Sequence, residues 1–213
     1  MNLISDAYIY LLQNQDYFRE ALRRHLELSL FALGISLLVA LPIGIWIAKH
    51  VKVAQVVINI FNAFRVIPSL AILFLALPYL GLGFLPALVA LTILAFPPVL
   101  INTYAGIRGV DSFVIESASA MGMTPMQVLK QVEIPLAIPA IVTGIRIASV
   151  EVISSAPLAS FIGGGGLGDF ITRGFALYNV PAMLVSAVPV ALLALLSEMI
   201  WSAFLRRYPA ANG

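Results

Sequence analysis

The chain has 213 residues, of which 61% are hydrophobic and only 10% charged, with a formal net charge of +2 and a mean hydropathy of +1.01. Soluble domains carry about 25% charged residues, so the composition is that of a membrane protein with room for about five spans and no separate soluble module such as an ATPase domain. The absence of cysteine excludes disulfides, thiol chemistry and cysteine-ligated metal, and His25 and His50 fall at opposite ends of one predicted span, where they cannot share a metal.

Residues 1–25 lack a basic start followed by an apolar core and a small-residue cleavage site, so no signal peptide is expected. Tyr8, Leu11, Leu12, Phe18 and Leu22 can form the apolar side of a helix lying on the outer membrane surface, with Arg19, Arg23 and Arg24 toward the headgroups. A membrane-spanning domain is expected over 26–207, followed by a short tail at 208–213.

About 20 apolar residues cross the hydrocarbon core as a helix, and uncharged stretches locate the spans. The first is 28–48. The second is 53–77, interrupted only by Arg65, and the uncharged run then continues to 107, enough for a third. Pro78, Gly81, Gly83 and Pro86 mark the turn between them. The fourth is 134–162 and contains Arg146 and Glu151; the fifth begins at 174, runs through 197 and ends before Arg206 and Arg207. The predicted fold is all-α, a polytopic membrane bundle whose two ends lie on opposite sides.

Between the third and fourth spans, at about 108–135, lies a polar, helix-forming island bounded by Arg108 and Asp111 on one side and Lys130 and Glu133 on the other. It is too charged for lipid and too patterned for a slack loop. Its residues Glu116, Ser117, Ala118, Gly122 and Pro135 resemble the E-A-A-x3-G-x9-I-x-L-P signature of permease subunits of bacterial ATP-binding-cassette importers, with Ser117, Val132 and Ile134 as conservative departures. The alternative is an ordinary interfacial connecting helix. The resemblance implies a fold like that of type I importer permeases, with a short coupling helix on the cytoplasmic face whose small residues Ala118 and Gly122 let a partner approach. Pro125 suits the first turn of a second helical stretch, and Pro135 allows the chain to re-enter the membrane as a new helix.

Basic residues vote on orientation. Lys49, Lys52, Arg108, Lys130, Arg206 and Arg207 fall on the island's side, and Arg19, Arg23, Arg24 and Arg173 on the other. The excess belongs in the cytoplasm, which sets the N-terminus outside and the C-terminus inside.

Charged side chains within spans are costly and face protein, water or a partner. At 1.5 Å per residue Arg65 lies roughly 17 Å, Arg146 roughly 15 Å and Glu151 roughly 22 Å from the island side. Arg146 and Glu151 are turned away from each other on a regular helix. Glu151 is therefore expected to face a pathway or to find Arg65 across the bundle, and an ion pair that only fixes packing is the alternative. Pro68 and Pro157 flank these charges and are candidate hinges.

The run from Gly163 to Gly168 formally satisfies G-x-G-x-x-G, but it follows a membrane helix where a nucleotide fold needs a strand, and no Lys-Ser/Thr ending follows. Its glycines, with Gly165, Gly166 and Gly168 as further hinge candidates, suit a tight or movable turn. From Ala156 to Asp169, and again from Arg65 to Ala71, the sequence is similar to permeases of importers for osmoprotectants such as glycine betaine, choline or carnitine. That resemblance implies a permease without covalent chemistry. ATP and Mg would be held by two separate ATPase subunits, a second permease copy or a related permease would complete the pathway, and an extracytoplasmic binding protein would deliver substrate. No cofactor of this chain's own and no nucleic acid are implied; membrane lipid surrounds the bundle. An amino-acid importer of the methionine type is the runner-up. A self-contained secondary transporter or channel gives no reason for the island and usually shows repeated halves, absent here. An intramembrane enzyme lacks a motif.

Overall fold

The computed structural model describes residues 2–207, and those residues are helical nearly throughout. In chain order the helices are α1 (Leu3–Gln13), α2 (Gln15–Ala48), α3 (Val51–Val66), α4 (Ser69–Leu80), α5 (Phe84–Arg108), α6 (Ser112–Ala120), α7 (Pro125–Val128), α8 (Ile134–Ser155), α9 (Gly168–Ala176) and α10 (Val180–Leu205). A π turn, Leu129–Glu133, joins α7 to α8, and a 3-10 segment, Ala156–Ile162, prolongs α8. The tail expected at 208–213 lies outside the described residues.

α2, α5 and α8 form the centre. On α2 the buried residues Leu28, Ala32, Ser36, Ala40, Gly44 and Ala48 recur every fourth position, a ridge inclined to the helix axis that winds with the packed neighbours. Most are small, and the backbones meet closely. A Cβ on Gly44 would come within 2.8 Å of Thr103 on α5, and one on Gly144 of α8 within 2.7 Å of the Pro98 carbonyl on α5. In lipid, where apolar surface gains little by leaving its surroundings, such small-residue contacts supply the van der Waals attraction between helices.

The first span is longer than expected. α2 starts at Gln15, and its early turns carry ion pairs at helical spacing, Arg23 with Glu20 and Glu27 and Arg24 with Glu27. These charges end the uncharged run without ending the helix, because i,i+3 and i,i+4 partners offset one another.

The second crossing is not one helix. α3 and α4 are bent by 99° at Ile67 and Pro68. Proline has no N–H to donate and drives the preceding residue out of the helical region; Ile67 is extended, at ψ 123°. The chain nevertheless crosses here. α3 begins beside the end of α2 that packs on Ile107 and Ala137, whereas α5 begins at the opposite end, where the Gly83 N–H donates to the Ile162 carbonyl at 2.8 Å. A re-entrant loop would return the chain to its starting end, so α3 and α4 together make one broken span and the described residues make five crossings.

The fifth span begins later than expected, at Val180. Gly174 belongs to α9, where a Cβ would lie 2.5 Å from Met183, and the corner between α9 and α10 contains no charge to reveal it. Asn179 caps α10 by accepting from the Ala182 N–H at 3.1 Å. α10 ends at Leu205 and so takes in Glu198.

Candidate functional site

The polar island folds as a platform at one end of the bundle. Asp111 caps α6, accepting from the Phe113 N–H at 2.8 Å. α6 ends at Ala120, and Gly122, just past its C-cap Met121, has a φ of +88° that disfavours any side chain. There the Gly122 N–H donates to Ser119 and the Met123 N–H to Ala118, the paired bonds of a Schellman end. Thr124 and Gln127 then form a reciprocal capping box that starts α7.

The candidate coupling residues are unequally placed. Glu116 is exposed, with no hydrogen bond or ion pair among the described residues, and Ser117 is half-buried. Gly122 is exposed, with nothing within 4 Å of a Cβ built on it. Ala118, by contrast, is 2% exposed, so its small side chain serves packing of α6 on its own chain rather than an open surface. Pro135 is exposed but starts no new helix. The chain is helical from Pro125 to Ile162, and the π turn, in which the Ile134 N–H reaches back to Leu129, widens the coil just where a proline ring would strike the preceding turn.

Three apolar side chains on the platform, Phe113 (72% exposed), Met121 (76%) and Met126, were not singled out from the sequence. Apolar side chains open on a polar segment mark a surface that meets a partner. Met126 also lines a cavity of ≈ 560 Å³ whose lining includes Ile115, Met123, Leu129, Lys49 and Glu133. The last two form an ion pair between the end of α2 and the π turn. Their signal in the sequence was weak: opposite charges at the same predicted membrane face, 84 residues apart.

Of the charges within the spans, Arg146 is paired, with its Nη1 3.5 Å from Glu198 Oε1 on α10. Glu198 falls before the expected end of the fifth span at Arg206 but is not singled out by the sequence as this partner. Nearby the Trp201 Nε1–H donates to Ser149 Oγ at 3.0 Å, a second polar link between α8 and α10. Arg146 is thereby explained by helix packing. Arg65, next to the break between α3 and α4, is exposed and Glu151 half-buried, and neither has an ion-pair partner among the described residues. They do not form a direct pair, although Arg65 lies within electrostatic reach of Glu151.

At the opposite end, Pro157 begins the 3-10 segment and is buried. Gly165 and Gly166 have φ of +75° and +96° and lie against Arg24 and His25 of α2. Gly168 starts α9 so close to Pro157 that a Cβ would fall 1.9 Å from its carbonyl oxygen. The turn is tied down by side chains: the Tyr17 hydroxyl donates to Asp169 Oδ2 at 3.0 Å, and Arg24 and Arg173 sit over the rings of Phe84 and Tyr17.

Residues 40–208 match the model of a family described as the binding-protein-dependent transport system inner membrane component. The chain is 49% identical to the carnitine transport permease protein OpuCB of Listeria monocytogenes, over 82% of this chain and 80% of that one. It is 43% identical to the choline transport system permease protein OpuBB of Bacillus subtilis, over 88% and 87%. Among solved structures, the fold is similar to a subunit of the MetNI methionine ABC transporter in an inward-facing conformation, with a TM-score of 0.82 at 24% identity over 91% of this chain and 96% of that one.

Proposed function

Since the chain belongs to the inner membrane components of binding-protein-dependent transport systems, we propose that it is the permease subunit of an ATP-driven importer for a quaternary ammonium osmoprotectant such as glycine betaine, choline or carnitine. The relatives named for carnitine and choline transport support the substrate class, and the methionine-type alternative has only a shared fold behind it. The observation that carries the reading is the exposed platform of α6 and α7, where Phe113 and Met121 are exposed and Glu116 has no ion pair among the described residues.

An ATPase subunit docks there, from the cytoplasm, and holds the ATP and Mg; this chain does no covalent chemistry. The N-terminus then lies outside and the C-terminus inside. A second copy or a related permease completes the pathway, to which Arg65 and Glu151 turn their unpaired charges. A binding protein delivers substrate at the outer end. ATP-driven closure of the ATPases selects one of two bundle conformations, with Pro68, Pro157 and the turn at Gly165, Gly166 and Gly168 as the places where helices change direction.

The test is purification of the tagged chain in mild detergent beside Glu116→Arg, with uptake of labelled choline and glycine betaine in the same cells. An ATPase is expected with the wild type and depleted from the variant, together with loss of uptake. Recovery of the wild-type chain with no ATPase would sink the importer reading, and normal uptake by Glu116→Arg would move the docking site elsewhere.

A further inference from the structure

Glu133 is a carboxylate that neither the exposed platform nor the pathway charges account for. It is 2% exposed, and its ion-pair partner among the described residues is Lys49, the residue that ends α2. A carboxylate withdrawn from water needs a cation to compensate it. Here the cation comes from a different span, so the pair is a brace between elements rather than a local cap.

Glu133 is also the last residue of the π turn. A π turn holds one residue more than an α turn, and such turns inside α-helices occur frequently at functional sites. Three units therefore meet at one ion pair: the α6–α7 platform, the span α8 that continues from it, and α2. α2 also meets this region through an apolar cluster in which Ile45 and Ala48 join Ile107, Leu129, Ile134 and Ala137. The attraction behind apolar contact is non-directional; the ion pair adds a link between two named positions.

α2 is continuous from Lys49 back past His25, about 36 Å at 1.5 Å per residue. Its far end lies against Gly165 and Gly166. A displacement handed to Lys49 is thus carried along a helix that stays continuous through Pro42 to the glycine turn on the other membrane face.

We propose that Glu133 and Lys49 are a positioning pair that passes movement of the platform to α2, and through α2 to the outer glycine turn. α8 receives the same movement through the chain itself; α2 receives it through this pair. The proposal rests on the importer reading above, because it takes the platform to be where an ATPase pushes.

The experiment uses the complete complex, permease with its co-purified ATPase and binding protein, reconstituted in liposomes, with ATP hydrolysis and uptake of labelled choline or glycine betaine measured in the same vesicles. Glu133→Gln and Lys49→Gln are expected to retain the ATPase and its hydrolysis while substrate moved per ATP falls roughly 5- to 150-fold, the usual span of coupling between sites. The exchange of Lys49→Glu with Glu133→Lys is expected to recover much of that loss. An unchanged ratio in both single variants, or an exchange no better than either, overturns the proposal and leaves the pair a packing contact. If Glu133→Gln does not assemble, Lys49→Gln decides, since Lys49 is 43% exposed in its side chain; failure of both to assemble also assigns a structural role. Absence of an ATPase from the wild type would instead bring down the importer reading, so the two failures are told apart.

Discussion

A Cβ on Gly168 would lie 1.9 Å from the Pro157 carbonyl oxygen, whereas one on Gly122 would meet nothing within 4 Å. The two glycines are needed for different reasons. Gly168 makes room for another backbone, and Gly122 takes a φ of +88° that L side chains avoid. Gly168→Ala is therefore expected to cost about 3 kcal/mol, the upper end of overpacking penalties, and Gly122→Ala about 1–2 kcal/mol of backbone strain confined to the end of α6. Thermal midpoints of the purified variants check both. Asparagine tolerates the left-handed region, so Gly122→Asn should recover part of the loss, while Gly168→Asn should be worse than Gly168→Ala. The opposite ranking would show that Gly168 has space not apparent in its surroundings.

The π turn between α7 and α8 makes a prediction of its own. Gln131 is exposed within it, and deleting that residue removes the extra member of the coil. α8 should stay intact, but α7 and α6 should rotate by about 100°, one residue of an α-helix, carrying Glu116 and Met121 to a new side. A variant that keeps its thermal midpoint but loses its ATPase is expected; one that retains the ATPase would mean the platform's direction is unimportant. The elements that could be read from the sequence were those marked by an end to apolarity: the central spans, the island and the turn before α5. Hydropathy reports removal from water but not the direction of an axis, so the 99° break after Ile67 left only a proline as its trace. Nor does it say which span a charge faces, so the pairing of Arg146 with Glu198 left no trace in it. Of the site, Glu116 and Gly122 were apparent from local pattern. Lys49 with Glu133 was not, because pairing across 84 residues depends on how the spans are arranged, and Ala118 looked like surface because smallness is equally useful inside.

Five crossings place α1 and the end of α10 on opposite faces, and the absence of cysteine lets single thiols report which is which. With Ser112→Cys, an impermeant maleimide is expected to react only in inside-out vesicles, and with Tyr178→Cys only in intact cells. The reverse pattern would invert the orientation given above. The long helix α2 also makes the protein a gauge of its membrane. Its uncharged part, residues 28–48, measures about 31 Å against a hydrocarbon core of about 30 Å, and it is held at one end by Arg24 and Glu27 and at the other by Lys49 and its partner Glu133. A bilayer of different thickness pulls on those two anchors at once, at fractions of a kcal/mol per Å of mismatch. Transport in vesicles of graded acyl-chain length should accordingly peak near the thickness that α2 matches and fall on either side, which makes lipid thickness a control on the bundle beside its protein partners.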